Sequence, residues 1–309
     1  MYQDKLQNVQ KEVNRIIKGK EDVVLKVLAA MIGGGHILME DIPGVGKTTL
    51  ATTFARTLSL DYHRVQFTPD VLPSDILGFS MYDKNAGEFV FQEGSIFCNL
   101  FLADEINRTS PKTQSALLEV MEERQASIEG QTRKLPDPFI VIATQNPIGS
   151  SGTQMLPESQ LDRFLICLSM GYPAHEDAVS LLKGEVWNQV EAVNPALSLE
   201  ELREARAAAE KIFVHDAIYE YIVELVELTR TDDLFSLGAS PRASIALLRM
   251  SRAMALLAGR DFVTAGDVQS VLGDVLGHRV KPGARARAEG KNVQGCIQTL
   301  LHKVKSPRC

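Results

Sequence analysis

The stretch Asp41-Ile42-Pro43-Gly44-Val45-Gly46-Lys47-Thr48 constrains this chain most, because it joins a short apolar run, HILME (36–40), to a helical pattern, TTLATTFARTL (48–58). A strand that turns through glycines straight into a helix leaves backbone N–H groups aimed at one spot, which is how a polypeptide cradles phosphate. Gly44 and Gly46 let the chain approach without side-chain clash. Pro43, Val45 and Thr49 complete the loop around them. In this reading Lys47 reaches the β- and γ-phosphates of a nucleotide and the Thr48 hydroxyl binds Mg²⁺. Asp41 stands where the general pattern has its first glycine, a departure from the pattern but not from the strand–loop–helix context. The plain alternative is a glycine-containing turn beside a surface lysine.

Further apolar runs follow: YHRVQF (62–67), NLFLA (99–103), PFIVIA (138–143) and FLICLS (164–169). They read as buried strands of about 5–6 residues. Helical stretches such as KTQSALLEVMEER lie between them, with apolar positions recurring at three and four residues. Such alternation implies an α/β fold with a parallel sheet covered by helices on both faces. After Pro173 the chain reads as helices only, to about residue 276, including ELREARAAAEKIF, AIYEYIVELVELTR and RASIALLRMSRAMALLAG. The expected division is a nucleotide-binding domain over 1–173 and a smaller all-α domain over 174–309, with the boundary near Gly171-Tyr172-Pro173.

NLFLA ends in Asp104-Glu105. A carboxylate at the carboxyl end of a parallel strand lies at the edge where ligands collect in open α/β sheets. Asp104 suits Mg²⁺, held through water, and Glu105 suits orienting or deprotonating an attacking water. Alone, an acidic pair after a strand is a solvated turn or a cap; the phosphate loop at this distance gives it a function. No Asn-Lys-x-Asp segment is present to read guanine, so ATP is the expected nucleotide.

Composition narrows the partners. Of 309 residues, 45% are hydrophobic and 23% charged, as in a soluble globular protein, and the net charge is -6. From His278 onward there are eight Lys/Arg against Glu289 alone, so the body is strongly acidic and the end basic. An acidic body argues against gripping a nucleic-acid duplex; the basic end could touch nucleic acid, lipid or an acidic partner, with a solvated terminal segment as the default reading. The most apolar segment, VVLKVLAAMIGGGHILM, is broken by Lys26, His36 and three glycines, so no membrane span is expected. The charged N-terminus lacks the apolar core of a signal peptide, which points to the cytoplasm. Cys98, Cys167, Cys296 and Cys309 form no metal-site spacing.

Longer blocks carry a family likeness. LFLADEINRTSPKTQSALLEVMEERQASIEG, PFIVIATQNP, LPESQLDRF and VQFTPDVLPSDILGF together resemble the MoxR branch of AAA+ ATPases, over about residues 12 to 280. The resemblance implies a five-stranded parallel sheet of order 5-1-4-3-2 followed by a helical lid. It implies that Asn146 is the sensor 1 residue near the γ-phosphate. Arg163 matches the arginine finger reaching a neighbouring subunit's site, and Arg242 matches sensor 2, contacting the nucleotide of its own subunit. Ile17-Lys18-Gly19-Lys20 resembles the stretch near adenine. Each arginine also has a plain reading: Arg163 paired with Asp162, or Arg242 at a helix start after Pro241. Two positions depart from the family pattern, Ser95 where proline is common and Gly149 where an acid is common.

The family also implies a ring, usually hexameric, and work on protein clients, with a von Willebrand factor A-domain protein as partner. Two inserts are expected, one within VQFTPDVLPSDILGF (65–79) and one hairpin-like from Gln125 to Asp137. Rival readings are a nucleic-acid motor or loader, a magnesium-chelatase-like ATPase subunit, and a switch that binds ATP without hydrolysing it.

Overall fold

Five short strands pair side by side in the computed structural model, which describes residues 2–85, 87–146, 155–182 and 190–307. They are β1 (Ile37–Glu40), β2 (Tyr62–Gln66), β3 (Leu100–Asp104), β4 (Ile140–Gln145) and β5 (Ile166–Leu168). All pairings are parallel and the order is β5-β1-β4-β3-β2, the arrangement expected. Side chains alternate between the two faces because a strand has a period of two. Ile37, Met39, Leu100, Leu102, Ile140 and Ile142 join one apolar cluster; Leu38, Phe101, Ala103, Val141 and Ala143 join another. Both faces of the central strands are covered, which is why those runs are continuously apolar.

β2 differs from the buried strand read in YHRVQF. None of its residues is buried, and His63, Arg64 and Gln66 are exposed. It is the edge strand, bonded to β3 on one side only, so its outer side faces solvent and tolerates charge.

Helix Lys47–Thr57 buries Leu50, Ala51 and Phe54 against the sheet. Its buried Thr53 and Thr57 hydroxyls donate to the Thr49 and Thr53 carbonyls, each at 2.7 Å, so neither is left unsatisfied. Helix Pro111–Glu123 starts with Ser110 as N-cap and Pro111 in its first turn, and buries Leu117, Leu118 and Met121. It returns the chain to the edge where β1 begins: His36, the residue before β1, donates from Nε2 to the Met121 carbonyl (2.9 Å).

Helices Tyr2–Ile16 and Glu21–Ile32 precede the sheet. The first buries a stripe of Leu6, Val9, Val13 and Ile16 in the same cluster that holds Leu225, Leu247 and Leu272 of the helices after the sheet. Those helices are Leu199–Glu210, Asp216–Thr231, Pro241–Leu257 and Ala265–Leu276, with capping boxes at Ser198/Glu201 and Thr264/Asp267.

Two expectations for this half are corrected. It is not purely helical, since Phe235–Leu237 pairs antiparallel with Lys281–Pro282. Nor is the basic end a solvated segment. Helix Val293–Lys303 buries Cys296, Ile297 and Leu300. Lys281, Arg285 and Lys303 pair with Glu158, Asp233 and Asp232, so the basic residues neutralise acids of the body. Arg308, Cys309 and the Pro147-Ile148-Gly149 departure lie outside the described residues.

The hairpin expected over Gln125–Asp137 is formed by Gln125–Ile128 and Gln131–Lys134. Its turn, Glu129-Gly130, has positive φ at both residues, as a two-residue hairpin turn of this twist requires. The other insert extends beyond the 65–79 window: helix Pro73–Leu77 leads into a hairpin of Gly78–Asp83 and Glu88–Glu93. Ser95 then donates its backbone N–H to the Asp75 carbonyl (3.5 Å), a bond proline cannot make. Among the described residues no helix is long and apolar enough to cross a membrane.

Candidate nucleotide site

β1 delivers the chain into the loop 41–46 at the carboxyl edge of the sheet. Gly44 and Gly46 adopt φ of 86° and 95°, a left-handed region that side chains resist. Gly46 is the N-cap of helix Lys47–Thr57 and no side chain caps that end. Its first N–H groups therefore keep the capacity to bind an anion, and the space beside Gly44 is open. Lys47 Nζ donates to the Asp41 carbonyl at 2.9 Å. Burial lowers the Lys47 pKa, opposed by the nearby charges of Asp41, Asp104 and Glu105. The loop and the acidic pair, about sixty residues apart in sequence, thus lie within electrostatic reach of each other.

The acids are held by side chains the sequence did not single out. Thr144, on β4, donates its hydroxyl to Asp104 Oδ1 (2.7 Å) and accepts the Glu105 backbone N–H (2.8 Å). Arg64 Nη2 on β2 binds Asp104 Oδ2 at 2.8 Å, and Arg108 Nη1 binds Glu105 Oε2 at 2.5 Å. Glu105 itself adopts φ 57° and ψ 47°. For a residue with a Cβ that conformation costs about 1–2 kcal/mol, and it turns the chain sharply out of β3. Asn146 follows β4, and its carbonyl accepts from Asn107 Nδ2 (3.3 Å). For Thr144 the signal in sequence was a polar Thr144-Gln145-Asn146 end on an apolar strand.

The residues present fit ATP with Mg²⁺. Among the described residues no group of three or more His, Cys, Asp or Glu could hold a metal unaided. Magnesium needs no such cage, since one or two protein oxygens and phosphates suffice. Ile17 is buried and Gly19 has φ 68°. A Cβ at Gly19 would collide with the Asp177 carboxylate, and Lys20 Nζ donates to the Tyr172 carbonyl (2.9 Å), so Ile17–Lys20 lies against the 172–177 segment.

The two arginines sit elsewhere. Arg163 Nη1 donates to the Leu118 carbonyl (2.7 Å) and pairs with Glu122 Oε2 (3.3 Å), while Arg242 pairs with Glu122 Oε1. Both line a cavity of about 1050 Å³ with His36, Arg124 and Arg206. Burial first, then the charge of Arg124, lowers the Arg206 pKa to about 10. It opens where β1 begins, a strand's length from the phosphate loop where β1 ends. Arg242, in the first turn of helix Pro241–Leu257, thus faces Glu122 at the opposite end of β1 from the phosphate loop. Arg163 does not pair with Asp162. Asp162 binds Arg279 Nε (2.8 Å) and accepts from Ser240 Oγ (2.7 Å), which fastens the lid helices to the sheet domain.

Comparison with known proteins agrees with this architecture. Residues 36–166 match the ATPase family associated with various cellular activities (AAA), and residues 227–299 match the AAA lid domain. The chain is 40% identical to Chaperone MoxR1 of Mycobacterium tuberculosis over 96% of its own length and 81% of that protein's. It is 30% identical to Protein MoxR of Methylorubrum extorquens, covering 90% and 88% of the two chains. An uncharacterized protein of Bacillus subtilis, YeaC, is 44% identical across 96% and 92%. The crystal structure of a presumed ATPase from Cytophaga hutchinsonii superposes with a TM-score of 0.89 at 38% identity, covering 99% and 96%. With phosphate loop, acidic pair, sheet order and lid all in place, the chain belongs to the MoxR family of AAA+ ATPases.

Proposed function

We propose that this chain hydrolyses ATP at a site completed by a second copy of itself, and uses the turnover to remodel partner proteins. The observation that carries the reading is the separation of parts: Lys47, Asp104 and Glu105 gather at one edge of the sheet, while Arg163 and Arg242 share Glu122 at the other. A guanidinium is suited to the charge spread over a transferring phosphoryl group, and two placed away from their own loop are available to a neighbour's. Repeating that contact head to tail closes a ring, and six copies is the number expected.

Within one copy the proposed roles are these. The loop N–H groups and Lys47 bind and orient the phosphates. Thr48 and Asp104 would hold Mg²⁺, which would supply charge neutralisation for the phosphates. Glu105, once released by Arg108, orients and deprotonates water, and Asn146 both donates and accepts beside it. Release of phosphate then moves the lid. The exposed hairpins at 78–93 and 125–134 are the surfaces offered to clients, and family analogy names a von Willebrand factor A-domain protein as partner.

The test is ATP hydrolysis against protein concentration, with Arg163→Ala and Glu105→Gln assayed alone and mixed. Specific activity should rise with concentration, and the mixture should regain turnover because each variant supplies the other's missing group. Activity that is flat with concentration, with no complementation, would retain an ATPase and remove the composite site.

A further inference from the structure

Asp41 departs from the general phosphate-loop pattern, and the fold gives it partners on three sides. The residue is 5% exposed, and its carboxylate accepts three hydrogen bonds: from Ser169 Oγ to Oδ1 (2.7 Å), Gly171 N–H to Oδ1 (3.0 Å) and Met170 N–H to Oδ2 (2.6 Å). Its backbone N–H donates to the Gln145 carbonyl on β4 (3.3 Å). Its own carbonyl accepts Lys47 Nζ. β1 lies between β4 and β5 in the sheet, so the residue following β1 can reach both neighbours.

A carboxylate beside a phosphate site is repulsive by itself, and the general pattern holds phosphate with glycine at this position. The acid is therefore not required for grip. What it does hold is Ser169-Met170-Gly171, the exit from β5. Gly171 has φ 61°, and beyond it Tyr172 receives Lys20 while Asp177 lies against Gly19. The segment 169–177 thus touches the phosphate loop at one end and the Ile17–Lys20 stretch at the other, and it leads into the lid.

We propose that Asp41 is a positioning residue that couples occupancy of the phosphate loop to the segment entering the lid. Phosphates arriving at Lys47 draw its ammonium off the Asp41 carbonyl, the loop shifts around them, and the carboxylate carries that shift to residues 169–171. Glycine at position 41 binds phosphate without passing the shift on. The inference rests on the ATP-binding reading of the same site.

The experiment compares wild type, Asp41→Gly, Asp41→Asn and Ser169→Ala by hydrogen exchange with and without ATPγS·Mg²⁺, alongside kcat, KM and thermal midpoint. Wild-type exchange over 169–177 should slow on adding ATPγS. In Asp41→Gly the same amides should exchange about tenfold faster and no longer respond to nucleotide. Its kcat should fall about tenfold with KM within about threefold of wild type. Asp41→Asn should fall between the two, since an amide keeps one acceptor but presents its NH₂ to a donor N–H. Ser169→Ala, outside the phosphate loop, should lose part of the response with KM unchanged.

Full response and turnover in Asp41→Gly would overturn the coupling. So would loss of nucleotide binding in that variant alone, which would make Asp41 part of the phosphate grip. Absence of ATPγS binding by the wild type itself would instead sink the ATP-binding reading beneath it.

Discussion

Glu105 is held in left-handed backbone by a neighbour's hydroxyl, and the chemistry assigned to it depends on that. Thr144 takes the Glu105 N–H and gives its proton to Asp104, so one hydroxyl sets both acids. Replacing Glu105 by Gln keeps its shape but removes the proposed base; turnover should fall by about 10²-fold or more, with ATP affinity near wild type in a filter-binding or fluorescence titration. Thr144→Val keeps the strand former and deletes the hydroxyl, orphaning an N–H at a cost of about 1–3 kcal/mol. Its kcat should drop about tenfold or more, and Thr144→Ser should restore most of it. Sequence could name Glu105, because an acid after an apolar strand is conspicuous. It could not name Thr144, because a β-branched residue in a strand is ordinary.

Between elements, buried polar contacts decide how strands and helices are fastened. Arg279 is fully enclosed, pairs with Asp162 and donates to the Leu165 carbonyl (3.1 Å). Removing one partner of a buried pair leaves a charge without compensation, so Arg279→Met should lower unfolding stability by about 3–5 kcal/mol, read as a lower urea midpoint. His36 bridges the start of β1 to helix Pro111–Glu123, and its Nδ1 accepts the Val141 N–H at 2.9 Å. Burial first, and then the charges of Arg124 and Arg206, push its pKa down to about 4. Between that value and about 6.5 the unfolded chain binds the extra proton and the native one does not. Stability from this group is complete above about pH 6.5 and drains as pH falls toward 4, by up to about 3 kcal/mol. His278, half-buried and lowered by desolvation and the charge of Arg279, acts in the same direction. Urea titrations at pH 7 and pH 5 should show the loss, and a smaller pH difference in His36→Gln.

Across the whole molecule the two arginines and the phosphate loop face different ways, and that geometry predicts which variant fails how. Arg242→Ala should bind ATP as wild type does at concentrations where the protein is monomeric. It should lose turnover, by about 10-fold or more, only where copies meet. A weaker ATP affinity in the dilute monomer would instead return Arg242 to its own subunit. The likeness in sequence matched Arg242 to a role through its position after Gly238-Ala239-Ser240-Pro241. Which loop it serves depends on where the lid docks, and the docking is set by contacts such as Asp162 to Arg279 that are 117 positions apart.

The sequence by itself determined the sheet, its phosphate loop, the acidic pair and the helical second half, because each follows from local signals: period-two and period-three-to-four apolar patterns, glycines before a helix, acids after a strand. It misjudged β2 as buried, because edge or centre is a property of neighbours that a run of six residues does not carry. It read the basic end as solvated, because its acidic partners lie in distant parts of the chain. Tertiary structure alone decided that Thr144 governs both acids, that Asp41 grips the exit of β5, and that Arg163 and Arg242 share one acid away from their own loop. Each is a contact between residues remote in sequence, made by packing that no local pattern encodes.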